Sequence, residues 1–479
     1  MQEPLPLEKR WALGLSFLSA LLLILAFPYT RLVWLSFVAL VPLMLALRGQ
    51  GWRRGLLVGL VHGFVFQSYI MWWANFFGFP AFLFLAGYKA LLPTLFGALW
   101  GELSRRHPAR FPVAFVCGWV GLEYLQTFGP FGVTWGMLSH TWARTPVVLQ
   151  SCSLLGPWIG SLLLLVCNAA IFQWLRPAPR PGRRAWLGVA GLLLLVNGLY
   201  GAWRLDSDFG PGQTVTVASV QVSMGRDVRW DPAFAEVALA RLRSLSTEAA
   251  TRGARFIVWP ETAIPYRGFL KSPQLSFQIA MLARELKAWL VVGSIEKVGD
   301  EHDHTLNSAS LISPDGAYEG RYDKQRLVPG GEYLPLESWL RPYKIFDRVM
   351  RYLPGQGNGV LHCPDLGIRP GLLICFESMV PFLARDRVRD GCDLLVVPTN
   401  DGWFGANPAI QHHFEMAIFR AIEQGRPLVQ CGNTGVSGMI DERGRVLVET
   451  PIDEMHVIVS PVVARCIIES AISCPGFRC

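Results

Sequence analysis

Apolar residues are distributed unevenly along the 479-residue chain. Before residue 205 they form long runs, whereas from residue 214 onward short apolar runs alternate with charged segments and with turns rich in Gly and Pro. Seven of the early runs are long enough, or nearly so, for a helix across a bilayer, which takes ~20 residues and at least ~17. We therefore predict a membrane domain over residues 1–205 with about seven transmembrane helices. The runs lie at 11–27, 31–47, 55–75, 80–104, 111–128, 151–175 and 185–204.

The first two runs are short and are separated only by Pro28-Tyr29-Thr30, so a re-entrant pair is an alternative to two spans. A cleavable signal peptide is the alternative for the first run, because Lys9 and Arg10 precede it. A retained helix is favoured, since no cleavage site with two small residues follows and six more apolar runs do.

The basic residues of the connecting loops predict the orientation of this domain. Twelve Lys and Arg residues fall on one side of the predicted spans, and only Arg31, Arg144 and Arg204 fall on the other. Because cytoplasmic loops carry the excess of Lys and Arg, the N-terminus is expected in the cytoplasm. An odd number of spans then places the rest of the chain across the membrane. The net charge of +8 reflects this bias and does not indicate binding to nucleic acid.

The second part of the chain, residues 214–461, has the pattern of a mixed α/β domain. Segments rich in β-branched residues, such as TVTVASVQV (214–222), alternate with amphipathic segments such as 231–253, and the segment 306–324 resembles a hairpin. This order predicts two sheets covered by helices, layered α-β-β-α.

Three polar residues stand out in strand-like surroundings of this second part: Glu261 in FIVWPETAIP, Lys324 in RYDKQRLVPGGEYLP and Cys375 in GLLICFESMVP. A carboxylate, an ammonium and a thiol can together deprotonate a nucleophile, hold an oxyanion and form an acyl-enzyme. Cys375 is predicted at the end of a strand, where backbone N–H groups lower the pKa of a thiol. Each residue taken singly is more often a loop carboxylate, a surface lysine or a packed cysteine.

The flanks of these residues decide between the two interpretations. WPETAIP, DKQRLVPGGEYLPLES, ICFES and TNDGWFG, in this order, resemble four signature blocks of the apolipoprotein N-acyltransferase family, a membrane branch of the nitrilase superfamily. The resemblance includes EYLQTFGPFGVTWG in the membrane part and extends to about residue 460. It implies a polytopic α-helical membrane domain followed by an α/β nitrilase-like domain with the α-β-β-α sandwich.

The resemblance also implies a reaction and a location. In this family a cysteine takes an acyl chain from a membrane phospholipid as a thioester and passes it to the α-amino group of the diacylglyceryl-cysteine at a lipoprotein N-terminus. The expected partners are therefore a phospholipid donor, a diacylglyceryl apolipoprotein acceptor and the bacterial inner membrane, with the catalytic domain on the periplasmic side. We expect a monomer without cofactor.

By resemblance, the roles fall on single residues of this chain. Glu261, Lys324 and Cys375 correspond to the nitrilase triad, so Glu261 is expected to act as the general base and Lys324 to hold the oxyanion with a main-chain N–H near Phe376. Glu332 and Glu377 correspond to supporting positions, and Trp230, Asn400 and Trp403 are expected to contact substrate. The complete set is Glu261, Lys324 and Cys375, then Glu332, Glu377 and Phe376, then Trp230, Asn400 and Trp403.

Three features depart from the family pattern. Phe376 stands where many members have Tyr, and Asn433-Thr434-Gly435 replaces a pair of Asn before Gly. The tail, residues 462–479, contains no apolar run near ~20 residues, whereas members of the family continue into one more membrane helix. The ten cysteines show no disulfide framework and no Cys/His metal pattern, so no metal site is expected.

Other functions would use parts of the same sequence. A membrane-anchored nitrilase or amidase acting on a small amide would need the same triad, and a catalytically inactive membrane scaffold would keep the fold without the reaction. A transporter is less favoured, because the spans lack paired broken helices and charge pairs. The acyltransferase is preferred, since seven spans serve an enzyme whose substrates are both lipid-anchored.

Overall fold

The structure is a computed structural model that describes residues 6–129, 132–176, 182–225, 235–264, 268–298, 304–343, 349–405 and 407–465. Every described strand lies in the C-terminal part, and the N-terminal part is helical. The predicted fold class, a polytopic helical domain followed by an α/β sandwich, is confirmed.

Nine helices are described in the N-terminal part. Four of the helices described there are long and apolar enough to cross a membrane by length and composition, namely Lys9–Ala26, Phe79–Arg106, Trp158–Leu175 and Arg183–Asp206. The total of seven spans stays a prediction. The helices are α1 (Lys9–Ala26), α2 (Val41–Leu47), α3 (Trp52–Ile70), α4 (Phe79–Arg106), α5 (Phe111–Leu125), α6 (Pro146–Leu149), α7 (Cys152–Leu155), α8 (Trp158–Leu175) and α9 (Arg183–Asp206).

The predicted span at 31–47 is not one continuous helix. It consists of a 3₁₀ segment, Val33–Phe37, followed by the seven-residue α2. Asn168 on α8 crosses to this break, because its Oδ1 accepts from Leu40 N at 2.9 Å and its Nδ2 donates to Ser36 O at 2.8 Å. A buried polar side chain within the bundle thus satisfies backbone groups that an apolar environment would leave unpaired.

Helices α3 and α4 pack closely because glycines line both faces of their contact. A Cβ on Gly97 would lie 2.6 Å from Gly55 O and 2.6 Å from Gly59 Cα. A Cβ on Gly101 would lie 2.9 Å from Gly55 Cα. Small residues spaced four apart let helix backbones approach in membranes, where the hydrophobic effect does not drive helix association. This helix pair supports the connecting 3₁₀ segment Trp72–Phe77, which covers the candidate active site.

The C-terminal part forms two sheets. The six-stranded sheet has the order β11-β1-β2-β3-β4-β5, and the five-stranded sheet has the order β10-β9-β8-β7-β6. The strands are β1 (Gly212–Gln221), β2 (Phe256–Val258), β3 (Trp289–Lys297), β4 (Thr305–Ile312), β5 (Tyr318–Asp323), β6 (Pro370–Leu372), β7 (Leu394–Thr399), β8 (Leu428–Gly432), β9 (Gly438–Ile440), β10 (Val446–Glu449) and β11 (His456–Arg465).

Each sheet has one face in a common core and one face under helices. The core between the sheets contains buried side chains of both, among them Val217, Phe256, Val396 and Val429. Helices α10 and α11 cover the six-stranded sheet, and α13 and α14 cover the five-stranded sheet. This is the predicted α-β-β-α arrangement. The helices are α10 (Ala235–Thr251), α11 (Pro273–Leu286), the short α12 (Glu337–Leu340), α13 (Pro381–Arg389) and α14 (Ala409–Gln424).

Helix α14 lies between the five-stranded sheet and the membrane helices, so the two domains share one apolar core. Polar contacts add to this junction. Glu415 on α14 accepts from Arg31 at 2.9 Å and from Arg144 at 3.1 Å, and Trp135 Nε1 donates to His412 Nδ1 at 2.9 Å. The catalytic domain is therefore held against the membrane domain by described residues that precede the tail.

Candidate active site

Glu261 and Lys324 meet in a buried cluster with Glu332 and Asn307. Lys324 Nζ lies 3.1 Å from Glu261 Oε1 and 2.8 Å from Glu332 Oε1. Asn307 on β4 donates its Nδ2 to the same two oxygens, at 2.7 and 2.9 Å. One ammonium and one amide thus fix the relative positions of two carboxylates. The sequence predicted the ion-pair partners but gave no signal for Asn307, since a polar residue within a strand is common.

The backbone around these residues explains how they converge. Glu261 follows β2 and Lys324 follows β5, and Lys324 N donates to Asn307 O at 2.8 Å. Gly293 on β3 makes room for the Glu261 segment, because a Cβ there would lie 2.9 Å from Glu261 Cα. The carboxylate is therefore held at the strand end, where open α/β sheets build their sites.

Burial and charge set the protonation states of the cluster. Burial lowers the pKa of Lys324, but the neighbouring carboxylates Glu261 and Glu332 outweigh it and hold that pKa well above its ordinary value. Burial and the Glu261 carboxylate raise the pKa of the Cys375 thiol well above its ordinary value, against the opposing effect of Lys324. The resting site thus holds an ammonium and a protonated thiol, so the thiol needs a base during the reaction. This corrects the expected lowering of the thiol pKa by backbone N–H groups at the strand end, because burial and the carboxylate dominate.

Cys375 opens a tight turn rather than ending a strand. Strand β6 stops at Leu372, and Cys375 begins the 3₁₀ segment Cys375–Met379 with φ +52°. A residue with a Cβ in this left-handed region is uncommon and costs ~1–2 kcal/mol. Such strain persists only where the surroundings hold the conformation.

Glu377 supplies much of that hold from behind the pocket. Its two oxygens accept from three backbone N–H groups, those of Ile374 at 2.7 Å, Gln325 at 2.7 Å and Arg326 at 2.9 Å. Tyr322 donates its hydroxyl to the same carboxylate at 2.8 and 2.9 Å. Glu377 is fully buried. It therefore ties the cysteine turn to the loop that carries Lys324, which is a positioning role.

A second buried pair lies on the other side of the cysteine turn. Asp401 Oδ1 lies 2.7 Å from His413 Nδ1, and His413 Nε2 lies 3.2 Å from Cys375 O and 3.0 Å from Ser378 Oγ. In the described part of the chain, one potential ligand atom each of Cys375, Asp401 and His413 lies within 4.8 Å of the other two, which is close enough to bind a metal ion. Because the histidine nitrogens already bond to these neighbours, we assign the group to the support of the thiol. The sequence did not single out His413 or Asp401.

The thiol faces a small pocket of about 40 Å³ lined by both domains. The catalytic domain provides its polar floor, namely Glu261, Lys324, Glu332 and Cys375. Aromatic residues form its roof, which we define as Trp73 and Phe77 of the 3₁₀ segment Trp72–Phe77, Trp135, Trp403 and Phe404.

The roof is held by ring contacts within the membrane domain and across the domain junction. Phe77 and Trp403 stack with ring centroids 5.8 Å apart, and Trp73 and Trp135 stack at 5.4 Å. Phe404 meets Trp135 edge to face at 5.4 Å. The membrane domain therefore completes the active-site pocket.

The structure brings most of the predicted site residues together. Phe376 and Trp403 line the pocket with Glu332 and the three residues predicted to be catalytic, and Glu377 lies behind it. Asn400 is not one of the described residues that line the pocket. Its Oδ1 accepts from Asn433 Nδ2 at 3.3 Å. Trp230 lies outside the described residues. Contact of these residues with substrate stays a prediction.

Comparison with known proteins accounts for both domains. A family profile described as carbon-nitrogen hydrolase matches residues 216–467, and one described as apolipoprotein N-acyltransferase N-terminal domain matches residues 19–170. An apolipoprotein N-acyltransferase of Geobacter metallireducens is 36% identical over 463 residues, which cover 92% of this chain and 87% of that protein. The chain belongs to the apolipoprotein N-acyltransferase family. It is accordingly an acyltransferase with a carbon-nitrogen hydrolase domain.

The chain is also similar to further proteins. The apolipoprotein N-acyltransferase of Pseudomonas putida is 30% identical over 459 residues, covering 90% of this chain and 87% of that protein. Among solved structures, an amidase from Nesterenkonia sp. is 20% identical, covers 53% of this chain and 92% of its own, and gives a TM-score of 0.40. A carbon-nitrogen hydrolase from Helicobacter pylori is 18% identical, covers 52% and 89%, and gives 0.41.

Proposed function

We propose that this acyltransferase moves an acyl chain from a membrane phospholipid, through a thioester on Cys375, to the α-amino group of a diacylglyceryl-cysteine at a lipoprotein N-terminus. The observation that carries the proposal is the composition of the pocket. A Glu, a Lys and a Cys share one pocket with aromatic residues of a membrane domain. A small soluble amide needs no such roof, whereas a lipid acyl chain is matched by it.

In the first step Glu261 removes the thiol proton as Cys375 Sγ attacks the ester carbonyl carbon of the phospholipid. The negative charge that develops on the carbonyl oxygen is stabilised by the Lys324 ammonium and by a main-chain N–H near Phe376. The ester C–O bond then breaks, and the proton on Glu261 passes to the departing alkoxide. The products are an acyl thioester on Cys375 and a lysophospholipid.

In the second step the neutral α-amino group attacks the thioester carbonyl carbon. Glu261 takes a proton from the attacking nitrogen, and Lys324 again faces the oxyanion. The C–S bond breaks, the thiolate regains the proton, and an amide is released. The two-step route lets one pocket serve donor and acceptor in turn.

The acyl-enzyme is the test of this proposal. Purified protein is incubated with phospholipid carrying a labelled acyl chain, and the label on protein is measured before and after hydroxylamine. We expect a hydroxylamine-labile adduct on the wild type and on Cys117→Ala, which removes an exposed cysteine, but not on Cys375→Ala. Release of ammonia from a small amide with no adduct from phospholipid would instead support a membrane-anchored amidase. Absence of both would support an inactive scaffold.

We further propose that the protein resides in the bacterial inner membrane with its catalytic domain in the periplasm. Lys and Arg residues of the loops are concentrated on the side of the membrane that holds the N-terminus, which supports this orientation. Single cysteines at exposed positions test it with a membrane-impermeant maleimide on intact spheroplasts. Phe277→Cys, on exposed α11, should be labelled before lysis, and His107→Cys, after α4, only afterwards. The reverse pattern would overturn the orientation.

A further inference from the structure

The pair of His413 and Asp401 is not used in the reaction described above, although both side chains are fully buried beside the nucleophile. His413 comes from α14 and Asp401 from the 3₁₀ segment Asp401–Trp403, so the pair links the helix at the domain junction to the cysteine turn. Thr399 Oγ1 also donates to Asp401 Oδ1, at 3.1 Å. A buried ionisable pair is costly to keep, so its hydrogen bonds show what it holds.

Hydrogen-bond accounting assigns two protons to this pair. Nδ1 of His413 faces the carboxylate of Asp401, and Nε2 faces the carbonyl oxygen of Cys375, which accepts only. A neutral imidazole carries one N–H. With that proton on Nδ1, Nε2 could accept from Ser378 Oγ at 3.0 Å but would face the Cys375 carbonyl oxygen lone pair to lone pair, and only the doubly protonated ring donates to both Asp401 and Cys375 O. With both protons present, His413 donates to Asp401 and to Cys375 O, and Ser378 Oγ donates to the same carbonyl at 3.0 Å.

The surroundings favour that state. Burial lowers the pKa of His413, but the charge and the hydrogen bond of Asp401 outweigh it, so the pKa of the imidazole is raised. Glu261 is the other carboxylate whose charge acts in this direction. On the remaining side the ring of Phe404 meets the imidazole edge to face at 5.8 Å.

We propose that His413, kept doubly protonated by Asp401, is a positioning residue that fixes the carbonyl of Cys375 and so holds the nucleophile in its left-handed conformation. Because Cys375 has φ +52°, its backbone does not continue the direction of the preceding strand. Ser378 Oγ and His413 Nε2 both contact its carbonyl oxygen in this conformation. Rotation of this peptide would move Sγ away from Glu261 and Lys324. The inference rests on Cys375 as the nucleophile but not on the identity of the acyl donor.

Three amide substitutions separate this role from simple packing. In His413→Gln the side-chain N–H₂ reaches the position of Nε2, so it keeps a donor for Cys375 O. In His413→Asn the amide reaches only the position of Nδ1, so it keeps the contact with Asp401 and loses the donor to Cys375 O. Asp401→Asn preserves shape but removes the charge that holds the second proton.

The readout is the rate at which iodoacetamide alkylates Cys375, followed by mass spectrometry of the peptide that contains it. We expect about a tenfold lower rate in His413→Asn and in Asp401→Asn, and a rate within about threefold of wild type in His413→Gln. Retention of the thermal unfolding midpoint identifies variants that keep the fold. Equal rates in the Gln and Asn variants, or no loss in Asp401→Asn, would overturn the proposal. Because alkylation needs no lipid, its result is independent of the acyl-enzyme test.

Discussion

The floor of the pocket comes from the catalytic domain alone, whereas the roof combines aromatic residues of both domains, and the two are built on different physics. The floor is a set of buried charges fixed by hydrogen bonds, with Lys324 held by Glu261 and Glu332. The roof is a set of aromatic rings that touch by stacking and edge contacts, without a charge among them. Displacement of a buried charge costs several kcal/mol, whereas a ring pair contributes ~0.5–1.5 kcal/mol beyond its burial.

This difference indicates a division of work between the floor and the roof. The floor sets the chemistry, because each of its groups must keep one protonation state and one position. The roof adapts to a long apolar chain and keeps water from the reacting carbonyl, because rings can shift at small energetic cost. We therefore expect changes in the floor to alter rates of bond formation, and changes in the roof to alter the fate of the thioester.

The largest effect is expected from Glu261→Gln, which removes the base and keeps the shape of the side chain. General base catalysis contributes typically ~10²–10⁴-fold, so thioester formation should slow by about that factor. Single-turnover formation of the labelled acyl-enzyme measures it. The control is Glu319→Gln, on β5 and away from the pocket lining. A loss below about threefold in Glu261→Gln would assign the base role to another group.

The same substitution should have the opposite effect on alkylation. The Glu261 carboxylate, together with burial, raises the pKa of the Cys375 thiol. In the wild type the thiolate fraction, and with it the alkylation rate, should therefore keep rising by about tenfold per pH unit above pH ~8.5, which is the ordinary pKa of a thiol. No plateau is expected there. Removal of the negative charge lowers the thiol pKa, so Glu261→Gln should be alkylated faster at a given pH while it transfers acyl chains more slowly. A parallel fall of both rates would contradict the assigned charge states.

A smaller effect is expected behind the floor. In Glu377→Gln one oxygen becomes an N–H₂ group that cannot accept, so at least one buried backbone N–H among those of Ile374, Gln325 and Arg326 loses its acceptor. The cost is ~1–3 kcal/mol of unfolding free energy. Tyr322→Phe is the comparison variant, because it removes the hydroxyl that donates to Glu377 and accepts from Arg387 Nη2 at 2.7 Å but leaves the three backbone bonds. It should cost ~1 kcal/mol, since Arg387 Nη2 keeps Gln325 Oε1 as an acceptor at 3.1 Å. Denaturant unfolding in detergent compares the two, and equal losses would show that the backbone bonds are not what Glu377 holds.

The sequence predicted the floor better than the roof for a physical reason. A charged residue or thiol between apolar strands is conspicuous, so Glu261, Lys324 and Cys375 could be found from the residues and their flanking blocks. Trp73 lies in the run 55–75, which is predicted to cross the membrane, and Phe77 lies in the short connection to the next run, where aromatic residues are ordinary. His413 lies in a helix segment of mixed apolar and polar residues, next to a second histidine, and nothing in that pattern indicates a role at the nucleophile. Both need the contacts between elements that are distant in the chain.

The break at 31–47 shows the same limit within the membrane domain. Composition alone predicted one span there, because apolar runs do not reveal where the backbone bonds change partner. The break depends on Asn168, which lies more than a hundred residues later and bonds to Leu40 N and Ser36 O. Long-range polar contacts of this kind satisfy a backbone that periodicity would make continuous.

The smallest effect, and the most specific to the roof, is expected from Trp403→Ala. Loss of its stacking with Phe77 removes ~0.5–1.5 kcal/mol of roof contact, equivalent to about a two- to tenfold change in a rate. Thioester formation should change little, since no floor group is touched. The thioester should hydrolyse about two- to tenfold faster in detergent without acceptor, because water reaches the carbonyl through the opening. Trp339→Ala, an exposed tryptophan outside the pocket lining, is the control. An unchanged lifetime in Trp403→Ala would mean that the floor alone protects the intermediate. The division between the floor and the roof would then concern access of the acyl chain rather than exclusion of water.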